Sequence, residues 1–225
     1  QDWGDKRMRM DETLVLENGK ILTPIRIIKN GVLVVREGKI VEMGSREEVN
    51  IPPKARKMDV EGRYISPGFI DLHVHGGGGK DALEGEEALK TISTMHARGG
   101  TTSMLSAVLV APFEKMIQAI RDIARVKDIL WEGAQILGAY VEGPYFSHEQ
   151  KGAQNPEYII KPSLENDKKF LHLAQHIKIM ALAPEIKGVL GLAKALVEQG
   201  VVASIAHSNA TYHDVLLAIE AGFLM

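Results

Sequence analysis

Phe69-Ile70-Asp71-Leu72-His73-Val74-His75 runs directly into Gly76-Gly77-Gly78-Gly79. The first seven residues read as an apolar strand, and side chains two apart in a strand share a face, so His73 and His75 project together. Two neutral imidazoles side by side are what a zinc-like ion needs as its first ligands. The glycines let the backbone pass closely around a bound group. Taken alone, such a pair can equally make ordinary hydrogen bonds at a strand end.

Outward from this stretch the chain alternates apolar strands with amphipathic helices. Strands are predicted over 69–74, 101–110, 134–141, 178–182 and 201–206, and helices over 86–98, 112–129, 163–176, 187–199 and 211–221, with a long loop over 142–162. Leu89, Ile92 and Met95 mark one buried helical stripe, and Met116, Ile120 and Ile123 another. Gly99 and Gly200 stand where helix C-terminal caps belong, and Thr211 with Asp214 is close to a capping box. The strands are nearly continuous in apolar residues, as parallel strands covered on both faces are. Five such units predict an α/β fold, a partial TIM-like (β/α)8 barrel, with a five-stranded doubly wound sheet as the alternative.

Polar residues favour the barrel. The third of these strands ends Tyr140-Val141-Glu142-Gly143-Pro144, and a glutamate directly after an apolar strand is costly to bury unless it is paired or bound to a cation. The fifth ends Ile205-Ala206-His207-Ser208-Asn209. Singly, Glu142 reads as a carboxylate answered by a Lys or Arg, and His207 as a structural histidine. Together with His73 and His75 they put four metal-competent side chains at the carboxyl ends of parallel strands, where barrel enzymes place their active sites. That convergence predicts a metal site. The remaining histidines, His96, His172, His176 and His213 on predicted helices and His148 on a loop, read as surface or packing residues.

Toward the N-terminus, residues 1–11 read as a polar tail and 12–66 as the N-terminal part of a small β-sandwich, with the barrel over 67–225. Strands are predicted over 14–16, 21–28, 32–36, 39–43 and 63–65, with turns at Asn18-Gly19, Asn30-Gly31, Glu37-Gly38 and Glu61-Gly62 and an interruption at Pro52-Pro53. The 225 residues are 45% hydrophobic and 25% charged, with a net charge of −2 and no basic patch of the kind nucleic-acid binding needs. No apolar run approaches the roughly 20 residues that span a membrane. There is no cysteine, which excludes disulfides and thiolate ligands within the chain. A cytoplasmic enzyme is the expectation.

With these residues in view, the sequence resembles the N-acetylglucosamine-6-phosphate deacetylases of the amidohydrolase superfamily. The resemblance lies in Pro67-Gly68-Phe69-Ile70-Asp71-Leu72-His73-Val74-His75-Gly76 and Val141-Glu142-Gly143-Pro144-Tyr145. It extends through Lys151-Gly152-Ala153-Gln154-Asn155-Pro156, Ala183-Pro184-Glu185 and His207-Ser208-Asn209-Ala210-Thr211-Tyr212. It implies hydrolysis of a 2-acetamido group to acetate and glucosamine 6-phosphate, in a barrel flanked by a sandwich built from both chain ends. Position by position, it implies that Glu142 and His207 are metal ligands, that His73 and His75 support a second metal in binuclear members, and that Ala153 and Gln154 contact the sugar. Several members carry His where this chain has Gln154. The implied cofactor is one or two divalent ions, zinc first, with iron, cobalt and manganese as alternatives. The implied partners are an amino-sugar phosphate and, at full length, a second copy in a homodimer.

By the same resemblance, a further histidine ligand, the catalytic aspartate and the phosphate-binding residues fall beyond residue 225, so no catalytic residue is assigned within the chain. Two other readings compete with this one. One is a dihydroorotase-like or adenine deaminase-like amidohydrolase, which the Glu-Gly-Pro and His-Ser-Asn segments count against. The other is a catalytically silent fragment of the deacetylase.

Overall fold

The computed structural model describes residues 13–129 and 132–224, and the tail expected at 1–11 lies outside the described residues. The described chain separates into two compact units that divide between Pro67 and Gly68.

In the first unit β1 (Thr13–Leu22), β2 (Ile27–Arg36) and β3 (Lys39–Ser45) form an antiparallel meander. The short strands β4 (Arg56–Asp59) and β5 (Tyr64–Ile65) run parallel to β1. Glu37 and Gly38, at φ 51° and 72°, turn the chain between Arg36 and Lys39, which lie opposite each other. This is the two-residue hairpin whose twist matches that of its strands.

The two Asn-Gly pairs of the meander do not turn the chain. β1 and β2 run straight through them, with Asn18 (φ 59°) and Asn30 (φ 47°) taking left-handed backbone inside the ladder, where the register shifts. Their glycines are there for space. A Cβ on Gly31 would stand 2.6 Å from Cγ1 of Ile21, and one on Gly19 would stand 2.5 Å from Cδ1 of Ile65. The reversal falls instead at Thr23-Pro24-Ile25-Arg26, so the strand expected over 21–28 is split between β1 and β2. Thr23 Oγ1 closes this turn, donating to the Arg26 carbonyl (2.7 Å) and accepting from the Arg26 amide (3.0 Å). Pro24, with φ fixed near −65°, suits the second position of such a turn. β4 was not among the predicted strands: Arg56-Lys57-Met58-Asp59 lies at the sheet edge and has no buried residue to mark it.

The second unit begins with β6 (Phe69–Val74), followed by a small hairpin of β7 (Gly76–Gly77) and β8 (Lys80–Asp81). Then come α1 (Glu86–Arg98), β9 (Thr101–Val108), α2 (Phe113–Val126) and β10 (Gln135–Glu142). α3 (Leu164–His172), β11 (Ile177–Leu182), α4 (Val189–Val197), β12 (Val202–Ile205) and α5 (Tyr212–Glu220) follow. The helix expected over 163–176 is shorter. Ser163 caps it through its Oγ, and at Leu173 (φ −103°, ψ 3°) the chain leaves the helix for one 3-10 turn, Ala174–His176, that leads into β11. The capping box at Thr211 and Asp214 is present at the start of α5.

Five strands, β6, β9, β10, β11 and β12, lie side by side in chain order and all run parallel. A doubly wound sheet reverses its strand order at a switch point. This sheet does not, and it is the arrangement of a partial (β/α) barrel. Alternate strand residues feed two cores. Met104, Val108, Val141, Met180 and Leu182 pack with Leu89, Ile92, Ile117, Ile120 and Leu192 on the helix side. Leu105, Ala107, Tyr140, Ile179 and Ala181 pack on the inner side. Among the described residues no helix is long and apolar enough to cross a membrane.

The loop after β10 is pinned by its two aromatic residues, Tyr145 in the helix-side core and Phe146 in the inner one. Tyr145 is fully buried, meets Phe170 edge-on at 6.2 Å, and donates its hydroxyl to Asp167 Oδ1 at 2.8 Å. Burial raises the Asp167 pKa, and the bonds from Tyr145 and Ser163 offset this only in part.

Two outcomes are expected. Tyr145→Phe leaves Asp167 short of a donor and lowers unfolding stability by about 1–2 kcal/mol, read from a shifted urea midpoint at unchanged slope. Gly31→Ala costs about 1–3 kcal/mol through overpacking. A double-mutant cycle with Ile21→Ala should show that this cost falls once the Ile21 side chain is removed.

Candidate metal centre

Strand geometry delivers the four residues. Asp71 and His73 alternate with Leu72 and Val74 along β6, and Val74 enters the helix-side core, which turns His73 to the inner face. Asp71 Oδ1 accepts the His73 amide at 3.1 Å and steadies the strand end. The His73 ring stacks on Tyr140 of β10, with centroids 4.1 Å apart and planes at 22°. His75 follows, and Nε2 of His73 and Nε2 of His75 stand 2.9 Å apart.

Glu142 closes β10 and is only 6% exposed. Its two oxygens face different imidazoles. Oε2 lies 3.2 Å from His75 Nε2 and 3.5 Å from His73 Nε2, while Oε1 lies 3.0 Å from His207 Nε2. Burial by itself raises the Glu142 pKa, but the hydrogen bonds and charges of the facing imidazoles outweigh it and bring it down to about 2. Conversely, the bond to Glu142 raises the pKa of His75 against the effect of burial. The carboxylate is ionised and draws positive charge toward itself.

His207 comes from the turn just past β12 and has left-handed backbone, φ 47°. Its Nδ1–H donates to the Gln150 carbonyl at 2.8 Å. With Nδ1 committed to the carbonyl, Nε2 is the ring nitrogen left to face the carboxylate, the placement from which it could serve a cation. Metal-ligating histidines commonly have their other ring nitrogen bonded to a backbone carbonyl in this way.

The donor set therefore fits a divalent ion. His73, His75 and Glu142 have ligand atoms within 4.8 Å of one another and can hold one. Glu142 Oε2 is buried with only the imidazoles of His73 and His75 facing it, as a metal-facing oxygen would be. His207 joins this group through the other oxygen of Glu142 rather than by direct approach to the two histidines.

The loop 150–155 covers His207. A Cβ on Gly152 (φ 57°) would stand 3.2 Å from Cε1 of the His207 ring, so this close approach requires glycine. Ala153 is exposed and Gln154 is buried. Gln154 Oε1 accepts the Val110 amide at 3.1 Å, which ties the loop to the end of the second strand of the sheet.

Three further residues shape the site. His96, expected as a surface or packing residue, bonds the Gly76 carbonyl at 3.0 Å through Nε2 and so holds the glycine hairpin that follows His75. Its spacing on the stripe of Leu89 and Ile92 could have signalled an inward ring. Tyr140 supports His73, as its alternation with Glu142 along β10 implies. Glu185 accepts the Ser208 hydroxyl and the Asn209 amide, both at 2.7 Å; its segment Ala183-Pro184-Glu185 is part of the resemblance, but no local pattern gives it this role.

Residues 64–223 match the Amidohydrolase family. The N-acetylglucosamine-6-phosphate deacetylase of Lysinibacillus sphaericus is 31% identical over 190 residues, 84% of this chain and 48% of its own length. The N-acetylgalactosamine-6-phosphate deacetylase of Escherichia coli O157:H7 is 32% identical over 212 residues, 93% of this chain and 54% of its own. The crystal structure of N-acetylglucosamine-6-phosphate deacetylase from Pasteurella multocida aligns with a TM-score of 0.86 at 32% identity, covering 94% of this chain and 55% of that one. The chain spans about half the length of the curated relatives it matches. Its parallel strands in chain order, the imidazoles and carboxylate gathered at their carboxyl ends, and the match over 64–223 lead to one conclusion: the chain belongs to the amidohydrolase family.

Proposed function

We propose that this chain carries the front half of the active site of a metal-dependent deacetylase. Its substrate is N-acetyl-D-glucosamine 6-phosphate, hydrolysed to D-glucosamine 6-phosphate and acetate. The observation that carries this reading is the buried Glu142 carboxylate, whose two oxygens face His73 and His75 on one side and His207 on the other. The relatives named as deacetylases of N-acetylglucosamine and N-acetylgalactosamine 6-phosphates support the substrate class.

In this reading His73, His75, Glu142 and His207 hold a divalent ion, zinc first, with iron, cobalt or manganese as alternatives. The divided carboxylate suits either one ion or two. Bound there, such an ion lowers the pKa of a water toward ~7 and polarises the acetamido carbonyl as a Lewis acid. The protein's own part is positional. Gln150 fixes the His207 tautomer through its carbonyl, and Tyr140 fixes the His73 ring plane. Glu142 supplies the negative charge that balances the ion. Ala153 and Gln154 lie on the loop over His207, and Gln154, its Oε1 bonded to Val110, offers its amide NH2 to a sugar oxygen.

No residue among 1–225 is assigned the proton transfer to the leaving amine. Glu142 already faces three imidazoles, which favours the second reading for the chain by itself: it binds metal and does not turn over.

Two measurements test these readings. In equilibrium dialysis with Zn2+, His75→Ala and Glu142→Gln should each weaken binding at least about tenfold, while His148→Asn binds as the parent does. Equal affinity in all three would remove the metal site. For the activity, a chimaera joins this chain to the part of the Lysinibacillus sphaericus relative beyond the matched region. It is expected to release acetate from N-acetylglucosamine 6-phosphate, and His207→Ala to stop it, whereas the 225-residue chain alone releases none. A folded, zinc-loaded chimaera without turnover would sink the assignment.

A further inference from the structure

Glu185 lies three residues past the end of β11 and is not one of the four candidate ligands. Its carboxylate accepts two hydrogen bonds from consecutive residues of the turn after β12: Ser208 Oγ–H to Oε2 and Asn209 N–H to Oε1, both at 2.7 Å. Ser208 Oγ accepts in turn from the Ala210 amide at 2.9 Å. The Asn209 side chain carries the order across to the loop after β10. Its Nδ2 donates to Ser147 Oγ and Glu149 Oε2, and its Oδ1 accepts from Gln150 Nε2. Gln150 is the residue whose carbonyl fixes the His207 ring, and the Ser147 amide donates to the His207 carbonyl at 2.9 Å.

These bonds surround a left-handed turn. His207 sits at φ 47°, a region uncommon for residues with a side chain, although His enters it more readily than most, and neither neighbour is a glycine that would ease the turn. The position of Nε2, 3.0 Å from Glu142, depends on this turn. Bonds to an ionised acceptor are shorter and about twice as strong as neutral ones, so a carboxylate gripping the next two residues is suited to hold it.

We propose that Glu185 is the positioning residue for His207, clamping Ser208 and Asn209 so that the left-handed turn aims the ring at Glu142. The proposal rests on the reading of His207 as a metal ligand. It assigns Glu185 no contact with substrate or ion. Glu185 acts through His207.

The test uses the 15N-labelled 225-residue chain and two readouts: the exchange of the His207 Nδ1–H bonded to the Gln150 carbonyl, and Zn2+ affinity by equilibrium dialysis. In the parent the His207 Nδ1–H, bonded to the Gln150 carbonyl, should give a single slowly exchanging resonance. In Glu185→Ala it should broaden or exchange rapidly, with Zn2+ affinity falling about 10- to 100-fold, the range seen when a ligand's supporting partner is removed. Glu185→Gln should restore both to within about threefold, because an amide still accepts from Asn209 and can donate to Ser208. Ser208→Ala, which removes one of the two bonds, should fall between, and it decides by the same readouts if Glu185→Ala does not fold. A Glu185→Ala chain with the parent's Nδ1–H exchange and affinity, beside a His207→Ala chain that has lost affinity, overturns the clamp and leaves the ligand reading standing. Parent-like affinity in His207→Ala overturns both.

Discussion

A carboxylate buried at the end of a central parallel strand has to be answered by positive charge, and the second unit is organised around that demand. Removing an ion from water costs several kcal/mol unless partners compensate. Glu142 finds its partners on both sides, because β10 is the middle strand of five. His73 and His75 arrive from the first strand, and His207 arrives from just past the fifth. None of these groups meets Glu142 through local sequence, so the cluster exists only when the whole sheet is in register. The fold is therefore a precondition for the site. A bound ion would return the favour, since a group that binds only the ordered sheet stabilises it.

How the neighbours are fixed follows from where each ligand sits. His73, within a strand, needs only a flat ring beneath it, which Tyr140 provides. His75 stands just past the strand, and the hairpin that follows it is held from α1 by His96. His207 stands on a strained turn and takes the largest set of polar partners: Gln150 on the ring, Ser147 on the backbone, Glu185 on the next two residues. The further a ligand lies from regular structure, the more of the surrounding chain is spent on holding it.

Much of this was legible in the sequence, for a physical reason. Strand periodicity fixed which side of β6 His73 would face, and an apolar run ending in Glu142 or His207 marked the ends of β10 and β12. The capping box at Thr211 was readable because its two partners are three residues apart. What escaped was non-local or double in meaning. Asn18-Gly19 and Asn30-Gly31 carry the signature of a tight turn, yet their glycines answer Ile65 and Ile21 across the sheet, which no local pattern contains. β4 escaped because it lies at an edge and buries no side chain that would reveal its period. The role of Glu185 escaped because its partners lie 23 and 24 residues away.

The polar side chains of the site come from the first, third and fifth strands of the sheet, and the intervening strands contribute alanines. Ala107 of β9 lies beside Tyr140, and Ala181 of β11 beside Glu142, each essentially without exposure. Barrel interiors are filled in layers drawn from alternate strands. Here the even strands leave the volume that the odd strands fill with imidazole, phenol and carboxylate. The site is thus defined as much by where bulk is withheld as by where chemistry is placed. Its shape is set in part at Ala107 and Ala181, positions that carry no functional group, so a larger side chain at either would press on Tyr140 or Glu142 without removing a polar atom.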